Sequence, residues 1–331
     1  MRVDRIDAFR GHVGAQVVQT TSHLLMVRPV RFGFNAQTAL DNAFQHPLSL
    51  PPEDVQARAL QEFDTFLQLL REAGITVTVF EDTEEPHTPD SIFPNNWISF
   101  HEDGKIFIYP MYAENRRMER RSDIVAHFQQ MYEHAVVIDL THYEEEGKFL
   151  EGTGSMIMDR VNQMVYACRS HRTTEELFEL FCREVDCEGM LFTATDRQGA
   201  EIYHTNVMMA MGTRFAVVCM EAIRDEEERA RVQQQLAATG HKVVPITFDQ
   251  VEAFAGNMLQ LYNQQGEPIL VMSQRAYDSL REDQVQELKS YTRLLVVPLD
   301  VIETCGGGSV RCMMAEVFLA RKESGQAAAW A

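Results

Sequence analysis

With 331 residues, 45% hydrophobic and 24% charged, the chain is long enough to bury a sizeable core and ordinary in globular composition. Its formal net charge of −19 excludes the usual nucleic-acid binder, which neutralises phosphates with Lys and Arg. No apolar run approaches the roughly 18 residues of a membrane helix. The opening MRVDRIDAFRGH lacks the apolar stretch of a signal peptide, and six cysteines without regular spacing read as free thiols. A cytoplasmic protein is expected, with homodimerisation left open.

Residues 1–21 read as a lead. His23–Val30 is a short apolar strand stopped by Pro29, followed by a loop over 31–50 that is long enough to suggest a lid. Pro52–Ala73 is an amphipathic helix, with Val55, Ala59, Phe63, Phe66, Leu67 and Leu70 on one face and Gly74 as its stop. Ile75–Phe80 is a strand. From there one unit recurs: a hairpin, a helix and a strand. Trp97–Phe100 pairs with Lys105–Tyr109 around Asp103-Gly104, then come a charged helix over 113–133 and strand Ala135–Leu140. A second lid candidate is 141–149. Met156–Met158 pairs with Met164–Cys168, followed by a helix opening at a Thr173/Glu176 capping box and strand Met190–Thr193. Val207–Ala210 pairs with Arg214–Met220 ahead of a helix over 225–239 and strand His241–Ile246. Met258–Tyr262 pairs with Pro268–Met272 ahead of a helix over 276–291 and strand Leu294–Pro298. A last strand, Val310–Leu319, follows the glycine run of TCGGGSVRCMM (304–314).

The hairpins begin at Trp97, Met156, Val207, Met258 and Val310, spaced 59, 51, 51 and 52 residues apart. The residue before each is small and polar: Asn96, Ser155, Asn206, Asn257 and Ser309. Such regularity marks a repeat architecture. The fifth unit is completed by joining the N-terminal 22–81 to the C-terminal 309–320. The expected fold is α/β, a single domain over 1–331 built as a five-bladed, pseudo-five-fold propeller of ββαβ units, whose closure leaves no exposed strand edge.

A pseudo-five-fold axis gathers the hairpin entries around one cavity, and at or near those entries stand Asn96, Glu151, His204, Asn206, Asn257 and Cys312. A thiolate attacks electrophilic carbon and needs a nearby cation or base. His204 supplies a base or a general acid, and Glu151 orients the imidazole or raises its pKa. Asn96 and Asn206 offer uncharged donors and acceptors suited to a flat, amide-like group. Read as isolated residues, each also fits a structural role, and Cys312 fits a buried core thiol. The remaining cysteines Cys168, Cys182, Cys187 and Cys219 read as packing or surface thiols. A metal site from Cys305, Cys312 and His204 has the wrong spacing for zinc; neither metal nor cofactor is expected.

The stretches PDSIFPNNW (89–97), LEGTGSMIMD (150–159), SHRT (170–173), YHTN (203–206) and CGGGSVRCM (305–313) resemble the guanidino-group-modifying enzymes, the pentein or amidinotransferase superfamily. The resemblance is closest to the citrulline-utilisation and dimethylarginine hydrolase branches and runs from about Leu24 to Leu319. It implies a five-bladed ββαβ fold, Cys312 as nucleophile, His204 as general acid/base and Glu151 as catalytic carboxylate. It further implies that Asp90 binds a substrate α-amino group, that Arg172 binds its α-carboxylate, and that Arg117 is a second carboxylate arginine. Arginine-cleaving members generally place a carboxylate where this chain has Asn96, and often one where it has Asn206. A buried guanidinium without a counter-ion is costly, so the expected substrate is citrulline or a close ureido compound, cleaved to ornithine, carbon dioxide and ammonia. The alternatives are an arginine or methylarginine hydrolase, an amidinotransferase, and a non-catalytic ligand-binding propeller.

Overall fold

The computed structural model describes residues 18–320; most of the expected lead at 1–21 lies outside them. The chain opens with β1 (His23–Arg28), α1 (Pro52–Glu72) and β2 (Thr76–Glu81). Helix α1 follows its sequence closely. Pro52 occupies its first turn, where a missing N–H costs nothing, and the six apolar residues of its periodic face are those it buries. Gly74 ends it in the left-handed region, at φ +84°.

The first repeat comprises β3 (Ile98–Phe100), β4 (Lys105–Ile108), α2 (Ser122–Met131) and β5 (Val136–Asp139). The second comprises α3 (Gly152–Ser155), β6 (Met156–Asp159), β7 (Met164–Cys168), α4 (Glu175–Glu184) and β8 (Glu188–Phe192). The third comprises β9 (Met209–Met211), β10 (Phe215–Val218), α5 (Glu226–Ala238) and β11 (Lys242–Pro245). The fourth comprises α6 (Phe248–Glu252), β12 (Leu259–Tyr262), β13 (Pro268–Ser273), α7 (Gln274–Ser279), α8 (Glu282–Lys289) and β14 (Arg293–Val297). The last strand is β15 (Ala315–Glu316).

These strands form five three-stranded sheets of one pattern. In each repeat the first strand runs antiparallel to the second, and the second, after a helical crossover, runs parallel to the third. The fifth sheet joins the two ends of the chain: β15 pairs antiparallel with β1 (Leu25 opposite Ala315), and β1 pairs parallel with β2. The first strands lie inward. β3 touches β15, β6 touches β9 and β9 touches β12, and one apolar cluster joins the fourth sheet to α1 and β1 through Leu261, Val271, Phe63 and Leu24. Among the described residues no helix is long and apolar enough to cross a membrane.

Four expectations change. The charged helix over 113–133 divides into a 3-10 turn at Glu114–Glu119 and α2, because Arg120 and Arg121 are extended. The helix over 276–291 divides into α7 and α8 at an extended Leu280–Arg281. Helix α4 begins after Thr174 rather than Thr173, and the Thr174 hydroxyl accepts from the Phe149 N–H instead of capping the helix. The strand expected over Val310–Leu319 shrinks to Ala315–Glu316. Before it the chain winds through a π-helical turn at Ile302–Gly306, Gly307 in the left-handed region (φ +65°), and a tight bend that carries Cys312. Glycine permits that path, and the path withholds the ladder bonds a strand needs.

Candidate active site

Each inward strand is preceded by a tight turn, and these turns surround one buried cavity. Pro94–Asn96 precedes β3, Glu151 caps α3 ahead of β6, and Thr205–Val207 precedes β9. Asn257 stands just before β12, and Cys312 in the bend before β15. The cavity is lined by Asp90, Asn96, Arg116, Arg172, Tyr203, His204 and Cys312, with Gly306–Gly308 forming one wall. It measures about 20 Å³, room for one water molecule. A recess of about 560 Å³ lies on the far side of Asp41 and Tyr203.

His204 Nε2 lies 2.7 Å from Glu151 Oε2. Burial pushes the Glu151 carboxyl up, but Arg172, the bond to His204 and Arg116 together hold it well below the usual carboxylate range. An ionised carboxylate only accepts, so Nε2 carries the proton and donates it. Glu151 raises the His204 pKa, as expected of a carboxylate partner, yet burial outweighs it and the imidazole falls to about 4. At neutral pH the pair is therefore a neutral imidazole with Nδ1 unprotonated, beside a carboxylate. The second Glu151 oxygen accepts from the Tyr112 N–H at 2.9 Å.

A glycine at 154 brings His204 and Asn96 together. A Cβ there would stand 2.4 Å from Asn96 Nδ2 and 2.9 Å from His204 Nδ1, far inside contact distance. Asn96 has its amide orientation fixed by Arg116, which has no acceptor: Arg116 Nη1 donates to Asn96 Oδ1 at 2.9 Å. Asn96 Nδ2 then turns away, buried and with no hydrogen-bond partner among the described residues. Asn206 Oδ1 and Asp90 Oδ1 are buried and unpartnered in the same sense. One donor and two acceptors are thus unmatched in side chains around one cavity, where such atoms cost about 1–3 kcal/mol each unless a ligand or water meets them.

The sulfur of Cys312 is buried and receives two amide donors, Asn257 Nδ2 at 3.3 Å and Asn206 Nδ2 at 3.5 Å. All six cysteines are free. Among the described residues no group of three His, Cys, Asp or Glu side chains is placed to hold a metal. Arg172 is buried, with Asp41 and Glu151 as ion-pair partners and its guanidinium 4.7 Å from the Tyr203 ring centroid. Asp90 Oδ2 accepts from Asn35 Nδ2 at 2.7 Å and from the Thr38 hydroxyl at 3.2 Å. Burial raises its pKa, against the pull of Arg116.

Of the eight expected site residues, Asp90, Asn96, Arg172, His204 and Cys312 line this cavity; Glu151 and Asn206 stand behind it, bonded to His204 and Cys312, and Arg117 does not reach it. Its guanidinium donates to the Met111 and Tyr112 carbonyls, pairs with Glu144 and lies over Phe149. The cavity holds its neighbour Arg116 instead, clamped by both Glu119 oxygens at 2.9 Å. A 3-10 turn rather than a helix sets which arginine of the run faces inward, and the Arg116–Glu119 spacing of three was the available signal. Also missed were Asp41 and Glu303. Glu303 is buried beneath the glycine wall, where its Oε1 accepts from the Ser309 hydroxyl at 2.6 Å and burial raises its pKa to about 7. The lid candidate over 31–50 reaches the site through Asn35, Thr38, Asp41 and Asn42, whose Nδ2 donates to the Gly307 carbonyl. The other candidate does not line the cavity.

Five small mixed sheets of this pattern are the fold of the guanidino-group-modifying, pentein enzymes, relatives that are hydrolases of C–N bonds. More particularly, the family described as N,N dimethylarginine dimethylhydrolase, eukaryotic, matches residues 28–319, and the chain belongs to it. No curated protein matches. Among solved structures the chain is similar to ArgZ, an arginine dihydrolase from the ornithine–ammonia cycle in cyanobacteria, with a TM-score of 0.71 and 16% identity over 91% of this chain. It spans 41% of that relative's length. Against the isolated N-terminal domain of ArgZ bound to substrate, the TM-score is 0.69 at 16% identity, over 90% of this chain and 99% of the other. A dimethylarginine dimethylaminohydrolase adduct with S-methyl-L-thiocitrulline gives 0.60 at 16% identity, covering 90% and 99%. At such identities the likeness shows the shared fold.

Proposed function

We propose that the chain is a cysteine-dependent hydrolase of a ureido group on a free amino acid, converting citrulline to ornithine, carbon dioxide and ammonia. One observation carries the choice of substrate: Asn96 presents a donor, fixed by Arg116, where a guanidinium-binding enzyme needs an acceptor. A ureido oxygen accepts from Asn96 Nδ2, and a ureido NH₂ donates to Asn206 Oδ1. A guanidinium has only donors and would meet both Asn96 Nδ2 and the positive charge of Arg116.

In the reaction, Cys312 Sγ attacks the ureido carbon and His204 Nδ1 takes the thiol proton, with Glu151 stabilising the imidazolium that forms. The proton passes to the departing ammonia as the C–N bond breaks, leaving an S-carbamoyl link between Cys312 and the ornithine nitrogen. Water activated by His204 cleaves that link, and the resulting carbamate loses carbon dioxide. Asp90 takes the α-ammonium and Arg172 the α-carboxylate. Both are covered by the 35–42 segment, so an amino acid enters as that segment lifts, which would open the cavity to the recess behind Asp41 and Tyr203. In this reading the five sheets close as blades of one pseudo-five-fold propeller domain, supported by the contacts of β15 with β3, β6 with β9 and β9 with β12.

Arginine is the second substrate reading, favoured by the two unmatched acceptors, Asn206 Oδ1 and Asp90 Oδ1. Citrulline, arginine, methylarginines and agmatine offered separately, with products read by mass, distinguish the two. Ornithine from citrulline is expected, with arginine slower by at least about tenfold. Asn96→Asp should lower kcat/KM for citrulline about 10–100-fold, equivalent to losing about 1–3 kcal/mol of hydrogen bond, and shift binding toward arginine. If the parent prefers arginine, the ureido assignment fails.

A further inference from the structure

The neutral state of His204 leaves a question about the nucleophile. Cysteine nucleophiles are commonly held as thiolates by an adjacent imidazolium or other cation. Here the imidazole is neutral. Both guanidiniums that line the cavity are committed to carboxylates, Arg116 to Glu119 and Arg172 to Asp41 and Glu151. The other titratable groups facing the cavity are Asp90, which opposes a thiolate, and Tyr203. The sulfur's direct polar neighbours are amides.

Asn257 is the better placed of the two. Its Oδ1 accepts from the backbone N–H of Arg311 at 3.1 Å, and its Nδ2 donates to the backbone carbonyl of Asn206 at 3.1 Å. Neither backbone partner can exchange roles, so the side-chain amide cannot flip without losing both bonds. The second hydrogen on Nδ2 is left for Cys312 Sγ at 3.3 Å. The same sulfur lies 3.7 Å from Asn257 Oδ1, within reach of a thiol S–H. The closer contact is the one that serves an anion. The Arg311 N–H comes from the bend that carries Cys312, so the bend that places the sulfur also orients its donor.

We propose that Asn257 is a catalytic residue: its Nδ2–H, together with that of Asn206, stabilises the Cys312 thiolate by direct hydrogen bonds as the sulfur gives up its proton to the neutral imidazole. The assignment rests on Cys312 being the nucleophile. Hydrogen bonds to a charged acceptor are stronger than those between neutral groups, and removing one should lower the thiolate population about tenfold, a rise of about one pKa unit. Asn257 came from a hairpin entry with no acid or base on it, which is why chemistry-bearing residue types alone would pass over it.

The test is the pH dependence of Cys312 alkylation by iodoacetamide without substrate, followed by mass on the Cys312 peptide, in the parent, Asn257→Ala and Asn257→Asp. The alanine variant should move the midpoint up by about one unit and slow alkylation at pH 7 about tenfold. The aspartate variant keeps an acceptor for the Arg311 N–H and has the same size, so it guards against a folding failure; its negative charge should move the midpoint further. An unchanged midpoint in Asn257→Asp, with thermal melting like the parent's, overturns the proposal. Cys312→Ser separates this failure from that of the underlying reading. Turnover retained in Cys312→Ser removes the nucleophile assignment and the proposal with it. Turnover lost there, with unmoved midpoints in the Asn257 variants, overturns the role of Asn257 alone.

Discussion

His204 shows how burial and charge compete on a single side chain. Alone, Glu151 would hold the imidazole protonated; burial wins and brings it from 6.5 down to about 4. A folded-state pKa below the unfolded value adds stability that is present above pH 6.5 and lost as pH falls toward 4. The ionised Glu151 contributes its own loss only below its unfolded value of 4.5, whereas the buried Glu119 and Glu303 carboxyls, raised to about 7, titrate within the same window as the histidines and in the opposite sense. Buried His101 shifts in the same sense and half-buried His171 in the opposite one, which makes a single-protein curve ambiguous. The useful quantity is a difference. Urea denaturation at pH 7.5 and 4.5 should show the parent losing about 2 kcal/mol more than His204→Gln between those conditions. Equal losses would mean that His204 is not buried as a neutral base. Glu151, His204 and Cys312 stand out in the sequence because they fall at repeat-equivalent entries and within the motifs that resemble the guanidino-group-modifying enzymes. The direction of the His204 shift does not, since it depends on how much of the chain covers the ring.

At the scale of elements, legibility follows periodicity. The six buried positions of α1 lie at helical spacing over 21 residues, and such a face has one solution. Short elements lack that redundancy. Arg116 and Arg117 are adjacent and chemically identical, and the one that turns inward depends on a 3-10 turn of six residues. Likewise the apolar run after the glycines suits a strand, but the bend it forms is fixed by Ser309, Glu303 and Asn257, none of which is local to the pattern. The four-residue α3 is the element on which the catalytic geometry is most exposed to change. Its Gly154 admits no Cβ without displacing Asn96 or His204. Gly154→Ala should therefore keep its fold, shown by a near-parental far-ultraviolet spectrum, while kcat/KM falls at least about 100-fold, the usual result of a displacement near 1 Å. A variant with more than a tenth of parental kcat/KM would mean that these two side chains do not need this approach.

The whole molecule is legible in one number, the near-constant spacing of hairpins, because every unit repeats the same sheet order. What spacing does not give is how the ends are secured. Arg311 and Glu316 form a buried pair at 2.8 Å, flanking the bend that carries Cys312 and entering β15. Arg311 Nη1 also donates to the Met314 carbonyl. Removing one partner of such a pair leaves a buried charge, at a cost of about 3–5 kcal/mol. Arg160 also acts on the same cavity wall as Glu316, which places Arg311→Met toward the lower end of that range. Arg311→Met combined with Glu316→Leu should regain most of the loss in urea denaturation. A double variant no more stable than the single would show that the arginine stem, rather than its charge, holds the joint.

Because β15 reaches back to β1, the order in which the chain is synthesised opposes the order in which the site is used. His204, Glu151 and Asn96 leave the ribosome long before Cys312, and the sheet that brackets the sulfur waits for residues 315–316. The early sheets can settle as local hairpins, yet the cavity between them has an open side throughout elongation. In the proposed function, the thiol thus meets its base only once β15 has paired with β1, and a chain that has not reached residues 315–316 lacks a closed site.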